Sequence, residues 1–459
     1  MANETPTETP GSDVTLTQVF SNRNFTLLWL GQVVAYLGDN FFKMAAVAMV
    51  TFGLTNQADK GAMQNWVTTL GNVPYLIFPL LLAPLIDRSD RKMLLVWMDV
   101  YRAVLIIFAA FIITSESPRY LAFILVFLVY AGSSVFFPAK SLFMTEIVPP
   151  SHLLRANSVS TTVGSLMALF GTFIGTRLVE WFGYSTTLFI TVGTYLFSMV
   201  TLLAISKVRA GISIDEAKAQ ELAKLQSHSS NMFKDVQEGW RVTRTNPVAL
   251  GSVLVFGWIW GVVGGFFALL TALIYEVLGK LLNRTGNEDL LNLQGEVLGL
   301  VGISMFVGGV IVGRLASHFS LRRVLACSFL GAAMTIGLLA VPYVQTKPFL
   351  MLALFFILGS FGGSIMIPVE TAIGKGVPRE VRGRVFAFNT VFHVALLVGM
   401  LTLTTLYLQW MRDYSLKLEI GFGVIAAMSL IGVGLTAILP SKVMLATLQP
   451  GSFPGRTTK

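Results

Sequence analysis

Cysteine is nearly absent. Cys327 is the only one and sits inside an apolar run, so an intrachain disulfide is excluded. Charge is scarce too, at 12% of residues, where a soluble domain carries roughly a quarter. With 54% hydrophobic residues and a mean hydropathy of +0.71, a water-soluble fold would have nowhere to put its apolar surface. Histidine is rare: His152, His228, His318 and His393 are scattered along the chain. None opens an acyltransferase-type His-x-x-x-x-Asp, because Asn157 stands five residues after His152. The sequence contains neither a phosphate-cradling Gly-x-x-x-x-Gly-Lys-Ser/Thr nor a metal-ligand cluster. These gaps argue against a membrane-embedded enzyme and against ATP-driven work by this chain alone. No cofactor is expected, and no cleavable signal peptide is visible. A sensor or scaffold is disfavoured by the modest central loop and the lack of an added soluble domain.

Long apolar runs are what the chain has in abundance. Backbone groups in lipid must pair within their own segment, so the runs read as helices. The length allows roughly twelve spans of about 20 residues. The first six fall at 25–52, 65–86, 93–114, 120–140, 157–180 and 184–205. The second six fall at 247–276, 296–316, 323–343, 348–370, 384–408 and 419–440. The expected fold class is an all-α membrane protein of two pseudo-symmetric six-helix bundles. Residues 1–22 read as a disordered cytoplasmic tail, 23–205 as the first bundle, 206–246 as a cytoplasmic linker, 247–440 as the second bundle and 441–459 as a second tail.

The two bundles repeat each other at an offset of about 230 residues. Ile86-Asp87-Arg88-Ser89-Asp90-Arg91-Lys92 and Ser320-Leu321-Arg322-Arg323 each separate two apolar runs. Pro138-Ala139-Lys140 corresponds to Pro368-Val369-Glu370, and Val148-Pro149 to Val377-Pro378. Six runs lie between each feature and its copy. An even number of crossings makes the copies parallel, an architecture that places a cavity between two bundles. Lys and Arg gather in the loops after spans 2, 4, 8 and 10, which puts both termini in the cytoplasm. The net charge of +9 is then a topology signal, and no nucleic-acid partner is expected.

Charged residues at membrane depth persist where they face a cavity or a partner. Asp39 and Lys43 share one face of span 1. With Asn40 they form a polar station for a substrate head group or a coupling proton, or else a self-satisfied structural pair. Lys140 and Glu370 are repeat partners of opposite sign. They read as a latch across the cytoplasmic mouth in the outward-open state, or as charges paired locally. Asp87, Arg88, Asp90, Arg91 and Lys92, with Asp99 and Arg102 one or two turns further on, read as a conformational loop whose ionic ties break when the halves rock. Arg177 and Glu180 read as a helix-surface pair. Gly164, Gly171 and Gly175 give span 5 a small-residue face. His393, in span 11, titrates near neutral pH in its ordinary state, so both a coupling role and a structural one are open.

On these residues the chain resembles the major facilitator superfamily over about 23–440. Asp87-Arg88-Ser89-Asp90-Arg91-Lys92 is similar to the family's loop between spans 2 and 3, with Ala83 and Asp90 where glycines are usual. Arg23–Gln32, Leu37-Gly38-Asp39-Asn40, Phe136–Lys140 and Leu154–Asn157 resemble the macrolide-efflux and enterobactin-exporter branch. Gly38-Asp39-Asn40 and Pro138-Ala139-Lys140 are also shared with lysophospholipid transporters. The glycine-proline antiporter motif of span 5 is matched only in part, since Thr176 stands where proline is expected. The resemblance implies alternating access, with spans 1, 4, 7 and 10 lining the cavity. The expected function is secondary export of an amphipathic small molecule with proton coupling, with lysophospholipid movement between leaflets as the alternative. The expected partners are that small molecule or lipid, the membrane lipids and protons. A monomer in a bacterial inner membrane is expected.

Overall fold

Helices account for almost all of the regular structure, because they let each apolar segment satisfy its own backbone in lipid. The computed structural model describes residues 16–51, 54–82, 86, 89–112, 119–149, 152–206, 232–315, 319–377, 379–414 and 416–439. In the first half, α1 (Leu16–Phe20) is followed by α2 (Arg23–Thr51), α3 (Gln57–Leu81), α4 (Arg91–Ile112), α5 (Arg119–Ile147) and α6 (Leu153–Leu203). After α7 (Met232–Thr245), the second half runs α8 (Pro247–Leu273), α9 (Asn287–Leu315), α10 (Leu321–Leu339), α11 (Pro342–Gln345), α12 (Pro348–Gly376), α13 (Arg379–Trp410) and α14 (Lys417–Leu435). Among the described residues, ten helical stretches are long and apolar enough to cross a bilayer. α3 is not among them; it carries Asp59, Lys60, Gln64 and Asn65 near its start and Pro74 and Pro79 further on.

Local chemistry sets many of the boundaries. Asn56 caps α3 by accepting from the Ala58 amide. Asn246 caps α8 by accepting from Val248 and Ala249, with Pro247 in the first turn where its missing N–H is harmless. α6 is two spans in one helical run. The expected break at 180–184 is narrowed to Gly183, whose φ of 75° needs a residue without a side chain. Two expectations about the ends and the linker are corrected. The tail expected over 1–22 includes the short helix α1, because Val19 is buried and Phe20 packs on Phe25 and Trp29. The linker expected over 206–246 ends in α7, which Glu238 ties to Arg384 at 3.0 Å while Trp240 packs on Phe388. Asp215–Gln226 lies outside the described residues.

Close approach of α2 and α6 positions the polar station. α2 lies against both arms of α6. A Cβ on Gly171 would sit 2.9 Å from Asn40 Cβ, and one on Gly175 3.2 Å from the Asn40 carbonyl oxygen. Gly38 of α2 returns the favour to the second arm, where a Cβ would meet Thr194 Oγ1 at 1.9 Å. The small-residue face of span 5 therefore seats the helix that carries Asp39. Two apolar clusters fill the first half and one fills the second. Leu291 of α9 belongs to a first-half cluster, so the bundles also share packing at one end.

Helix polarity defines two ends. One, the tail end, carries the start of α2 and the junctions α3–α4, α5–α6, α9–α10 and α12–α13. The other, the far end, carries the α2–α3, α4–α5 and α13–α14 junctions and Gly183.

Candidate transport site

Asp39 sits midway along α2, and three other helices supply its partners. Arg102 of α4 donates to its Oδ1 at 3.1 Å. Tyr195 of α6 donates at 2.7 Å and Ser133 of α5 at 3.3 Å. Tyr130 of α5 donates to the Asp39 carbonyl oxygen at 3.3 Å. Arg102 also bonds Asp99 one turn earlier on α4, and its guanidinium lies over the rings of Tyr195 and Phe136 at 4.2 and 4.9 Å. Asp99 is 0% and Arg102 1% exposed. Charges this deep persist because each is held by an opposite charge and by hydrogen bonds. Two carboxylates face one guanidinium, so the cluster carries one net negative charge when both are ionised.

This geometry corrects two expectations. Lys43 is not the partner of Asp39: its ammonium lies 5.3 Å from the centroid of Phe267 on α8, in the other half. The short Asp39 side chain turns to α4 and α6, while the longer Lys43 reaches outward. Asp99 and Arg102 do not tie the α3–α4 loop to its neighbours; they complete the Asp39 cluster, because their turn of α4 faces the bundle interior. Asp90, Arg91 and Lys92 of that loop do make ties within the first half. Asp90 accepts from the Met93 amide at 3.2 Å, Arg91 pairs with Glu146, and Lys92 donates to the carbonyls of Leu203 and Ile205 at 2.9 and 2.6 Å. Asp87 and Arg88 lie outside the described residues.

The remaining candidates fall in three places. Asn40 donates to the Tyr36 carbonyl at 2.9 Å and accepts from Thr172 at 3.2 Å. Lys140 is 4% exposed; it donates to the Tyr36 hydroxyl at 3.1 Å and lies over the rings of Tyr36 and Phe137. Glu370 is exposed on α12, and among the described residues it and Lys140 form no ion pair in this conformation. His393 shares its Nδ1 with the Asn389 carbonyl at 2.7 Å and packs against Phe256 and Trp260. Two aromatic residues of α8 are engaged within the second bundle: Phe266 is buried between Phe355 and Phe422, and Trp258 donates to the Met428 carbonyl at 2.8 Å.

At the far end the halves are bolted together. Arg177 of α6, which also holds Glu180 at 2.7 Å, crosses to Glu296 of α9 at 2.8 Å, and Arg284 holds the other Glu296 oxygen at 2.8 Å. Arg412, just past α13, grips both oxygens of Asp59 on α3 at 3.0 and 3.2 Å. Gln57 donates to the Thr285 carbonyl and Asn65 to that of Ala268. These bonds between the two halves all lie toward the far end. Sequence reasoning took Arg177 and Glu180 as a surface pair and passed over Glu296, since nothing in the local sequence says which helix an arginine at a span end will meet. It also passed over Tyr36, Ser133 and Tyr195, whose hydroxyls lie in apolar runs without any charge to mark them.

Two helical bundles joined at one end around buried polar residues are the architecture of a membrane transporter. The Major Facilitator Superfamily profile matches residues 28–393 and, separately, 288–450, and the chain belongs to that superfamily of membrane transporters, which are not enzymes. It is similar to Macrolide efflux protein A of Streptococcus pyogenes, 23% identical over 398 residues that cover 82% of this chain and 87% of the relative. It is also similar to Multidrug resistance protein MdtG of Serratia proteamaculans (strain 568), 22% identical over 379 residues covering 81% and 83%. Among solved structures, a D-xylose-proton symporter superposes with a TM-score of 0.65 at 11% identity, covering 92% of this chain and 98% of the other. That likeness concerns the fold alone.

Proposed function

We propose that this protein is a monomeric secondary carrier that exports an amphipathic small molecule, drug- or siderophore-like, in exchange for protons. On this reading it sits in a bacterial inner membrane with both termini in the cytoplasm, so the tail end faces inward. One observation carries the reading: the halves are held at the far end by Arg177–Glu296 and Arg412–Asp59, while the oppositely charged repeat partners Lys140 and Glu370, among the described residues, stay apart. A carrier closed outward and loosened inward has this distribution. Rocking to the other state would break the Glu296 and Asp59 pairs and bring Lys140 and Glu370 together as an inner latch.

Proton coupling is assigned to the Asp39–Arg102–Asp99 cluster. One bound proton brings it to neutrality, which suits a site that must shed bulk water during transport. The names of the efflux relatives support the export direction. Lysophospholipid movement is the second reading; it is favoured by the shared Gly38-Asp39-Asn40 and Pro138-Ala139-Lys140 elements and by Phe137, which is 52% exposed beside the buried Lys140.

Transport into proteoliposomes, with and without an imposed pH gradient, tests the reading. Gradient-dependent movement of a soluble amphipath supports it, and gradient-independent movement of lysolipid replaces it with the second. The latch is tested separately: Lys140→Glu and Glu370→Lys each abolish transport, and the double swap restores it. A double swap as inactive as the single variants removes the latch.

A further inference from the structure

Lys43 and Lys140 are cations in membrane-spanning helices, and among the described residues neither meets a carboxylate. The neighbouring ionic cluster at the middle of the first bundle is, by contrast, neutralised from within: Arg102 by Asp39 and Asp99, and Asp39 by Arg102. Lys140 has instead one hydroxyl, that of Tyr36, and two aromatic faces. Lys43 has one face, that of Phe267. An ammonium group carries three donors, so Lys140 keeps two in hand. Cation–π contacts recover only part of what a buried ion forfeits on leaving water. The arrangement is electrostatically incomplete, and an anion completes it.

Tyr36, Asn40 and Lys43 follow one another at helical spacing on α2. Seven residues separate Tyr36 from Lys43, about 10 Å along the axis. Lys140 reaches the Tyr36 end from α5, and Lys43 faces the second bundle. The two cations therefore bracket a stretch about two turns long, with Phe137 beside one and Phe267 beside the other. We infer that the transported molecule is an amphipathic organic anion, whose carboxylate or phosphate group docks on Lys140 and the Tyr36 hydroxyl while its apolar body lies against the aromatic rings toward Lys43. The inference rests on the carrier reading above and names the sign of its cargo.

The test uses the full-length protein in lipid nanodiscs and two xanthene dyes of opposite sign, carboxyfluorescein and tetramethylrhodamine methyl ester, read by fluorescence anisotropy. A lipid arm uses oleoyl lysophosphatidylglycerol and oleoyl lysophosphatidylcholine as competitors. The wild type binds the anionic dye at least about tenfold more tightly than the cationic one. Lys140→Gln removes about tenfold of the anion's affinity and leaves the cationic dye unchanged. Lys140→Arg recovers part of it, and Tyr36→Phe, which removes one hydroxyl and little volume, weakens it by a few fold. Competition by the anionic lysolipid alone marks a lipid phosphate as the ligand; competition by neither marks a soluble anion. A preference for the cationic dye, an absence of anion binding, or equal anion affinity in a stably folded Lys140→Gln protein overturns the inference. Proteoliposome flux separates it from the carrier reading. If the cationic dye is carried and no anion is, the carrier stands and the anion site falls. If anion binding survives but no probe crosses faster than in protein-free vesicles, the site stands and the carrier reading falls.

Discussion

The two bundles are copies in topology and opposites in chemistry. Pro138 and Pro368 stand 230 residues apart. At that offset Asp39, Asp99, Arg102 and Tyr195 correspond to Leu269, Phe329, Ala332 and Ile425, and all four of these are buried. The first bundle fills its centre with an ion cluster, whereas the second fills the same positions with hydrocarbon. Buried polar atoms are not absent from the second half, where Asn292, Gln294 and Asn389 lie inside, but among the described residues the ionic cluster at mid-helix depth is in the first. The same fold is thus stable with either filling. The ions of the first bundle are not required to hold six helices together, and this points to work other than packing.

The comparison is tested most severely at Arg102. Arg102→Leu leaves two buried carboxylates without a counterion, and a loss of about 3–5 kcal/mol is expected, read as a large drop in the thermal midpoint of the detergent-purified protein and loss of transport. Importing the second-half set together (Asp39→Leu, Asp99→Phe, Arg102→Ala) restores most of the midpoint and none of the transport. If the triple variant is as unstable as Arg102→Leu, the view that the ions serve function over packing is broken. Tyr195→Phe removes one hydrogen bond from Asp39 and lowers stability by about 1 kcal/mol, while Ile425→Leu at the matching site of the second half changes it by less than about 1.5 kcal/mol; both are read by the same melt.

The far-end bolts make a smaller difference, because they are partly solvated. Glu296 is 31% and Arg284 40% exposed at the side chain, so screening holds each pair to about 1 kcal/mol or less. Glu296→Gln loosens Arg177 and Arg284 together and shifts the population toward a far-end-open state by a few fold. Distances between spin labels at the ends of α6 and α9 lengthen accordingly; an unchanged distribution would remove Glu296 from the gate. The smallest effect is expected at the tail end of the first bundle, where Glu146 is 46% exposed. Arg91→Ala lowers the midpoint by no more than about 0.5 kcal/mol and leaves the label distances at the far end as they were.

Much of this was legible without coordinates. The spans, the parallel repeat and the isolation of Asp39, Lys140 and Glu370 in apolar surroundings are all local signals, since a charge among hydrocarbon neighbours stands out in any window. Arg102 and Asp99 were equally visible as charges, but their proximity to the α3–α4 loop in sequence suggested the wrong companions. Lys43 misled for the same reason: four residues from Asp39 is near in sequence and on the same face, yet helix neighbours decide where each side chain goes. The glycines of span 5 were recognised as a packing face, and only the structure says that the helix seated there is the one bearing Asp39.

By itself the sequence determined that this chain lives in a membrane as helices, that it is built twice in parallel, and that it belongs among carriers, because apolar length, loop charge and repeated motifs are properties of the chain alone. The tertiary structure decided which charges meet: Asp39 with Arg102 across 63 residues, Arg177 with Glu296 across 119, and Lys140 with an aromatic hydroxyl in place of a carboxylate. The reason is physical. In lipid a buried charge is held by whichever opposite group the packing brings within about 3 Å, and packing brings together residues from helices that the sequence keeps far apart.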